Sequence, residues 1–137
     1  MTGGAAYPAV LIVAALTAGA ALAEGGVVVP VPSGQHVELH EVLLDESPGE
    51  TWARFRFLAP QIARETGSIG IDAALEDIDS LCAAYAAPAV ADMRPAPRQI
   101  VISLMDRIVE FGATNPDATQ FFEAYRVENG TCIWEGL

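Results

Sequence analysis

The chain contains no lysine; its seven basic residues are all arginine. That absence removes Schiff-base and lysine-nucleophile chemistry. Against the arginines stand 18 acidic residues, for a net charge of −11, so nucleic acid and anionic lipid headgroups meet a repulsive average field. There are only two histidines, His36 and His40, in one short segment, and no serine stands in a G-x-S-x-G context. A Ser-His-Asp triad would have to use one of those histidines, and nothing supports it. The short stretch Gly67-Ser68-Ile69-Gly70 lacks the lysine and length of a phosphate-cradling loop. No C-x-x-C redox or zinc pattern occurs. No cofactor is expected. Finally, charge is missing altogether from residues 1–23.

That last gap carries an address. The apolar run from Ala9 to Leu16 and the small-x-small site Ala21-Leu22-Ala23, placed just before Glu24, read as a secretory signal peptide. The segment opens without Lys or Arg, so retention as an N-terminal anchor facing the periplasm is the alternative. Pro8, Gly19 and the many alanines make it a weak span. The expected organisation is a signal peptide over 1–23, an extended tether over 24–35 and a single domain over 36–137. The expected location is periplasmic or secreted.

In an oxidising compartment the two cysteines, Cys82 and Cys132, predict one disulfide. The chain-entropy estimate for a loop of that length is about 4 kcal/mol. Two buried free thiols are the alternative.

Patterning fills in the domain. Glu24 to Ser33 is rich in Gly, Val and Pro, hence the tether. Residues 37–44 read as a strand, followed by an acidic Pro48-Gly49 turn. Residues 52–58 alternate most clearly: Ala53, Phe55 and Phe57 point one way, Trp52, Arg54 and Arg56 the other. Residues 72–86 read as the main helix, with Leu75, Ile78, Cys82 and Tyr85 on one apolar stripe, Glu76 and Asp77 opposite it, Asp72 as N-cap and Pro88 as the stop. Residues 99–104 and 107–111 read as strands joined by Met105-Asp106. The segments 121–128 and 131–135 flank Asn129-Gly130, the favoured two-residue hairpin turn. Its register sets Val127 opposite Cys132 and Tyr125 opposite Trp134, all on one face. Two periodicities, one helical and one of the hairpin, thus turn both sulfurs inward. The fold class is α+β: a mostly antiparallel sheet with one principal helix packed on one face. The predicted core is Val42, Leu44, Phe55, Phe57, Leu75, Ile78, Cys82, Tyr85, Ile100, Ile102, Tyr125, Val127, Cys132 and Trp134.

Two clusters invite a functional reading. His36, Glu38 and His40 share a strand face, but the histidines would stand about 13 Å apart, too far to reach one ion. They are weak metal candidates, and the solvated face of an edge strand is the plainer reading. Trp52, Arg54 and Arg56 form the best candidate binding surface: arginine clamps carboxylates and stacks on aromatics, and exposed Trp beside Arg is typical of interface hot spots. Cross-strand pairing with Glu38 or Glu41 is the competing structural explanation.

Pro32-Ser33-Gly34-Gln35, Arg54-Phe55-Arg56-Phe57-Leu58-Ala59-Pro60, Phe121-Phe122-Glu123-Ala124-Tyr125-Arg126 and Cys132-Ile133-Trp134-Glu135 form a distinctive set. The set resembles an uncharacterised family of small exported alphaproteobacterial proteins, a domain of unknown function, over about Pro32 to Glu135. The resemblance implies an exported single domain and brings no activity, cofactor or site residues. The expected role is a non-enzymatic exported interaction or accessory module, partnered by another exported or membrane-associated protein. A small periplasmic enzyme or small-ligand-binding protein is the rival.

Overall fold

The computed structural model describes residues 26–136; the segment read as a signal peptide lies outside them. One sheet runs in the order β1 (Val27–Val28), β2 (Glu38–Asp45), β3 (Trp52–Leu58), β4 (Gln99–Met105), β5 (Gln120–Glu128) and β6 (Thr131–Trp134). The alternation in β3 organises it. Ala53, Phe55 and Phe57 are buried and sit beside Leu44, Val42 and Leu39 of β2 on one flank. On the other flank they sit beside Ile100, Ile102 and Leu104 of β4, so one face becomes a continuous apolar floor.

The sheet is mixed rather than uniformly antiparallel. β3 and β4 pair in parallel, in register from Trp52 opposite Gln99 to Leu58 opposite Met105, while the other four pairings are antiparallel. The helix lies between β3 and β4 in the chain, and a connection of that length returns the next strand to the starting end instead of folding it back as a hairpin.

That helix, α1 (Ile71–Leu81), continues through a wider turn over Cys82–Ala86 into Ala87–Val90. It therefore runs past Pro88, which had been expected to end it. In the wider turn the Ala87 N–H bonds the Cys82 carbonyl five residues back, and the register shift accommodates a residue that lacks an N–H. The N-cap is Gly70, and Asp72 lies in the first turn, where its charge suits the helix end. Ala74, Ile78, Leu81 and Cys82 are buried against the sheet, and Tyr85 meets Phe55 and Phe57 edge to face, with centroids 6.2 and 6.1 Å away. A second tie is polar: the Tyr125 hydroxyl donates to Asp79. Burial and that carboxylate push the phenol's pKa upward.

Asp77 was expected on the polar side and is instead fully buried. Its carboxylate accepts from the Ser33 N–H at 2.9 Å, the Ser33 hydroxyl at 2.6 Å and Gln35 Nε2 at 2.8 Å. A buried carboxylate is tolerable only with such partners, and here they come from the stretch read as a tether. Residues 26–35 are thereby tied to the sheet and the helix: β1 pairs with the start of β2, and Val29 and Gln35 are buried.

The Asn129-Gly130 hairpin has the expected register, with φ of 52° and 77° at its two turn residues, the left-handed values a two-residue turn of this type needs. Trp134, however, is 61 % exposed rather than core. It lies on a four-residue edge strand, and its indole Nε1 donates to Glu123 at 2.6 Å. Leu44, Leu75, Tyr85, Val127 and Cys132 of the predicted core are only partly buried, packed around it. Residues 107–111 are not a strand. They belong to a loop over 106–119, closed at its base where the Asp106 N–H bonds the Thr119 carbonyl at 3.0 Å and the Thr119 N–H bonds Asp106 Oδ1 at 2.8 Å. Met105-Asp106 has no residue suited to a tight turn, so the chain leaves the sheet there.

The Cys82 and Cys132 sulfurs stand 2.13 Å apart, at disulfide distance, with Cα atoms 6.3 Å apart. The pair joins the helix to the edge hairpin.

Two outcomes test these ties. Asp77→Ala leaves three donors facing a void, and its urea midpoint falls by the equivalent of about 3 kcal/mol. Non-reduced, denatured protein takes up no alkylating reagent by mass spectrometry, whereas Cys82→Ser with Cys132→Ser loses about 2–5 kcal/mol in the same denaturation assay. Two alkylated cysteines without reductant rule the bond out.

Candidate binding face

The sheet face opposite α1 holds Trp52, Arg54 and Arg56, and the structure gives each a partner. Trp52 is half-buried, and its indole Nε1 donates to Glu50 at 2.9 Å. Arg54 Nε donates to Asp45 at 2.8 Å, the cross-strand neighbour of Trp52. Its guanidinium lies 5.3 Å from the ring centre of Trp52 and 5.3 Å from that of Phe111. Arg56 is 5 % exposed. It donates to Glu41 on the neighbouring strand and to the Val109 carbonyl, and it stacks 5.8 Å from Phe111.

The layer over this face is therefore the 106–119 loop; among the described residues it is neither the helix nor residues 26–35. Val109 packs into a small second core with Met105 and Ala118, and Phe111 lies across both guanidinium groups. Such contacts are worth under about 1 kcal/mol when exposed and about 2 when desolvated, and the half-exposed Phe111 ring puts these between the two. Arg56 acts as an internal bracket, and Arg54 and Trp52 form the rim.

The fold brings other residues forward. Ile108 and Phe111 stand 49 % and 52 % exposed on the loop, and Phe122 of β5 is 56 % exposed on the same sheet face. Between the loop and β2 runs a groove of about 340 Å³, lined by Glu41, Leu43, Leu44 and Asp45, with His40 at one end and Ile108, Glu110 and Phe111 as the far wall. Sequence reasoning assigned the loop residues to a strand. The signal against that was the missing turn residue at 105–106, together with the Gly112 and Asn115-Pro116 breaks.

Of the metal candidates, His36 Nε2 meets Glu38 at 3.3 Å on the exposed surface, and His40 is the extra residue of a bulge in β2. No cluster of three ligand-type residues capable of holding an ion forms among the described residues.

Asp45 is held at about 2, below its usual 3.8, by the Ser47 hydroxyl and N–H, with Arg54 contributing less. A depressed carboxyl pKa stabilises the fold above the unfolded value of 3.8, and the contribution is lost as pH falls through about 2. Such a group is a structural anion and a poor general base near neutral pH.

A mixed sheet with a crossover helix on one face, a folded-over loop on the other and a cysteine pair joining helix to edge hairpin defines a small α+β domain. Residues 10–137 match a family of unknown function (DUF6497), and the chain belongs to that family. No curated protein and no solved structure matches it.

Arg56→Ala strands Glu41 and the Val109 carbonyl, and costs about 3 kcal/mol in thermal or urea unfolding, while Arg54→Ala at the rim costs under about 1 kcal/mol. In an NMR titration, Ser47→Ala and Arg54→Ala each raise the Asp45 pKa toward its ordinary value. An Asp45 pKa left unchanged by Ser47→Ala contradicts the hydrogen-bond account.

Proposed function

We propose that this chain is an exported, non-enzymatic binding module that engages another protein through the loop-covered face of its sheet. The observation that carries the reading is the pair Ile108 and Phe111, each about half exposed on a loop that buried Arg56 and Val109 hold in place. Large apolar side chains presented on a fixed backbone bind at low ordering cost. Trp52 and Arg54 supply an amphipathic rim beside them. Export is supported by the uncharged apolar start with its small-x-small site before Glu24, and by two cysteines at disulfide distance. Among the described residues no helix is long and apolar enough to cross a membrane.

A small-ligand enzyme draws on one observation, His40 and the carboxylates of Glu41 and Glu110 lining the same groove. The binding reading is preferred because Glu41 is committed to Arg56 and Asp45 to Arg54.

Two measurements test the proposal. Residues 1–23 fused to a reporter that is active only after disulfide formation outside the cytoplasm give an active reporter; an inactive one removes the export claim. A photo-crosslinking residue at Ile108 or Phe111 in the full chain traps one discrete protein in the native cell, while the same residue at exposed Ile71, at the start of α1, traps none. Equal trapping from both places removes the binding face.

A further inference from the structure

Among the described residues, β2 is only half covered on its outer edge. β1 pairs with Glu38 and Leu39, its flanking residues bond the carbonyls of Val37 and Leu39, and past that point no strand pairs with this edge among the described residues. The stretch from His40 to Asp45 keeps its other edge on β3 throughout. A strand with one edge unpaired presents a row of backbone donors and acceptors ready for another strand. The groove lies along this stretch. Leu44 faces the core side and Leu43 the opposite side, yet both line it, which places the groove at the strand's margin. Ile108 and Phe111 form its apolar wall.

Charge narrows the occupant. The groove is lined by three carboxylates, Glu41, Asp45 and Glu110, and by no Lys or Arg. The first two are balanced by Arg56 and Arg54; Glu110 accepts no side-chain hydrogen bond or ion pair among the described residues. The adjoining turn adds Glu46 and Glu50. With a net charge of −11, a second copy of this chain is repelled, whereas a basic segment is attracted.

We propose that the open edge of β2 takes up an extended segment of a basic partner protein as an added strand, in line with β1, with an apolar side chain against Ile108 and Phe111 and a cationic one beside Glu110. Main-chain bonds to β2 hold the segment, and the groove selects its side chains. This rests on the reading of the chain as a binding module and names the chemistry of its partner.

The test uses the full chain and a fluorescent peptide of alternating Arg and Val, followed by anisotropy and by hydrogen exchange of the amides over 40–45. Binding is expected, with slowed exchange in that stretch, at least about tenfold tighter than for an alternating Glu and Val peptide and weakening as salt rises. Methylating alternate backbone nitrogens of the peptide abolishes binding, because an added strand needs its N–H groups. Glu110→Arg and Ile108→Asp, both exposed substitutions, each weaken binding at least about fivefold while leaving the melting temperature in place.

Undiminished binding of the methylated peptide, or of the native peptide by both variants, overturns strand addition. Protection of 40–45 already present without peptide assigns the edge to the chain's own residues 1–25 and overturns it equally. Crosslinks from Ile108 and Phe111 without peptide binding sink this inference alone; absence of both sinks the module as well.

Discussion

Parallel pairing of β3 with β4 is the constraint from which the rest of the architecture follows. Two parallel neighbours cannot be joined by a tight turn, so the chain between them must cross one face of the sheet. It does so as α1, and that choice assigns the faces. Ala53, Phe55 and Phe57 of β3 are sealed by Ile78, Leu81, Cys82 and Tyr85, leaving Trp52, Arg54 and Arg56 on the side the helix does not reach. Arginine in the middle of a sheet is costly to bury unless its donors are answered. The 106–119 loop answers them, with the Val109 carbonyl on Arg56 and the Phe111 ring across both guanidinium groups.

The polar contacts share a logic. Two of the buried charges tie an irregular segment to a regular one, and a third closes the loop on itself. Asp77 on α1 fixes the Ser33–Gln35 stretch, Arg56 on β3 fixes the middle of the loop, and Asp106 fixes its base. Removing one partner leaves the other buried and unanswered, which is why the expected losses exceed those of surface pairs. The cysteine pair does by proximity what these contacts do by charge, holding the short edge strand β6 against the helix. Segments that lack a core of their own are thereby fixed in place.

Much of this was legible in residue order. The period of two in 52–58 gave β3 to the residue, and Asn129-Gly130 gave the hairpin with its register. Adding the helical period of Cys82 placed both sulfurs on facing surfaces. These are local signals, in which a few neighbouring residues suffice to decide a backbone conformation. The failures have another cause. Asp77 is acidic and sits among acids, so its pattern reads as solvent-facing; only the arrival of Ser33 and Gln35, far away in the chain, makes burial tolerable. Trp134 is apolar enough for a core, but it lies on the short edge strand β6 and stays largely exposed.

The sequence by itself determined strands β2 to β6, the body of the helix, the inward-facing cysteines and the acidic, lysine-free character, because each depends on propensity, period or composition. Tertiary structure alone decided the direction in which β4 joins β3, the folding of 106–119 across the arginine face and, among the described residues, the unpaired stretch of β2. Those depend on which distant segments meet: strand direction on where the helix returns the chain, the loop's course on buried guanidinium groups that need acceptors, and the edge of β2 on β1, which among the described residues pairs with Glu38 and Leu39.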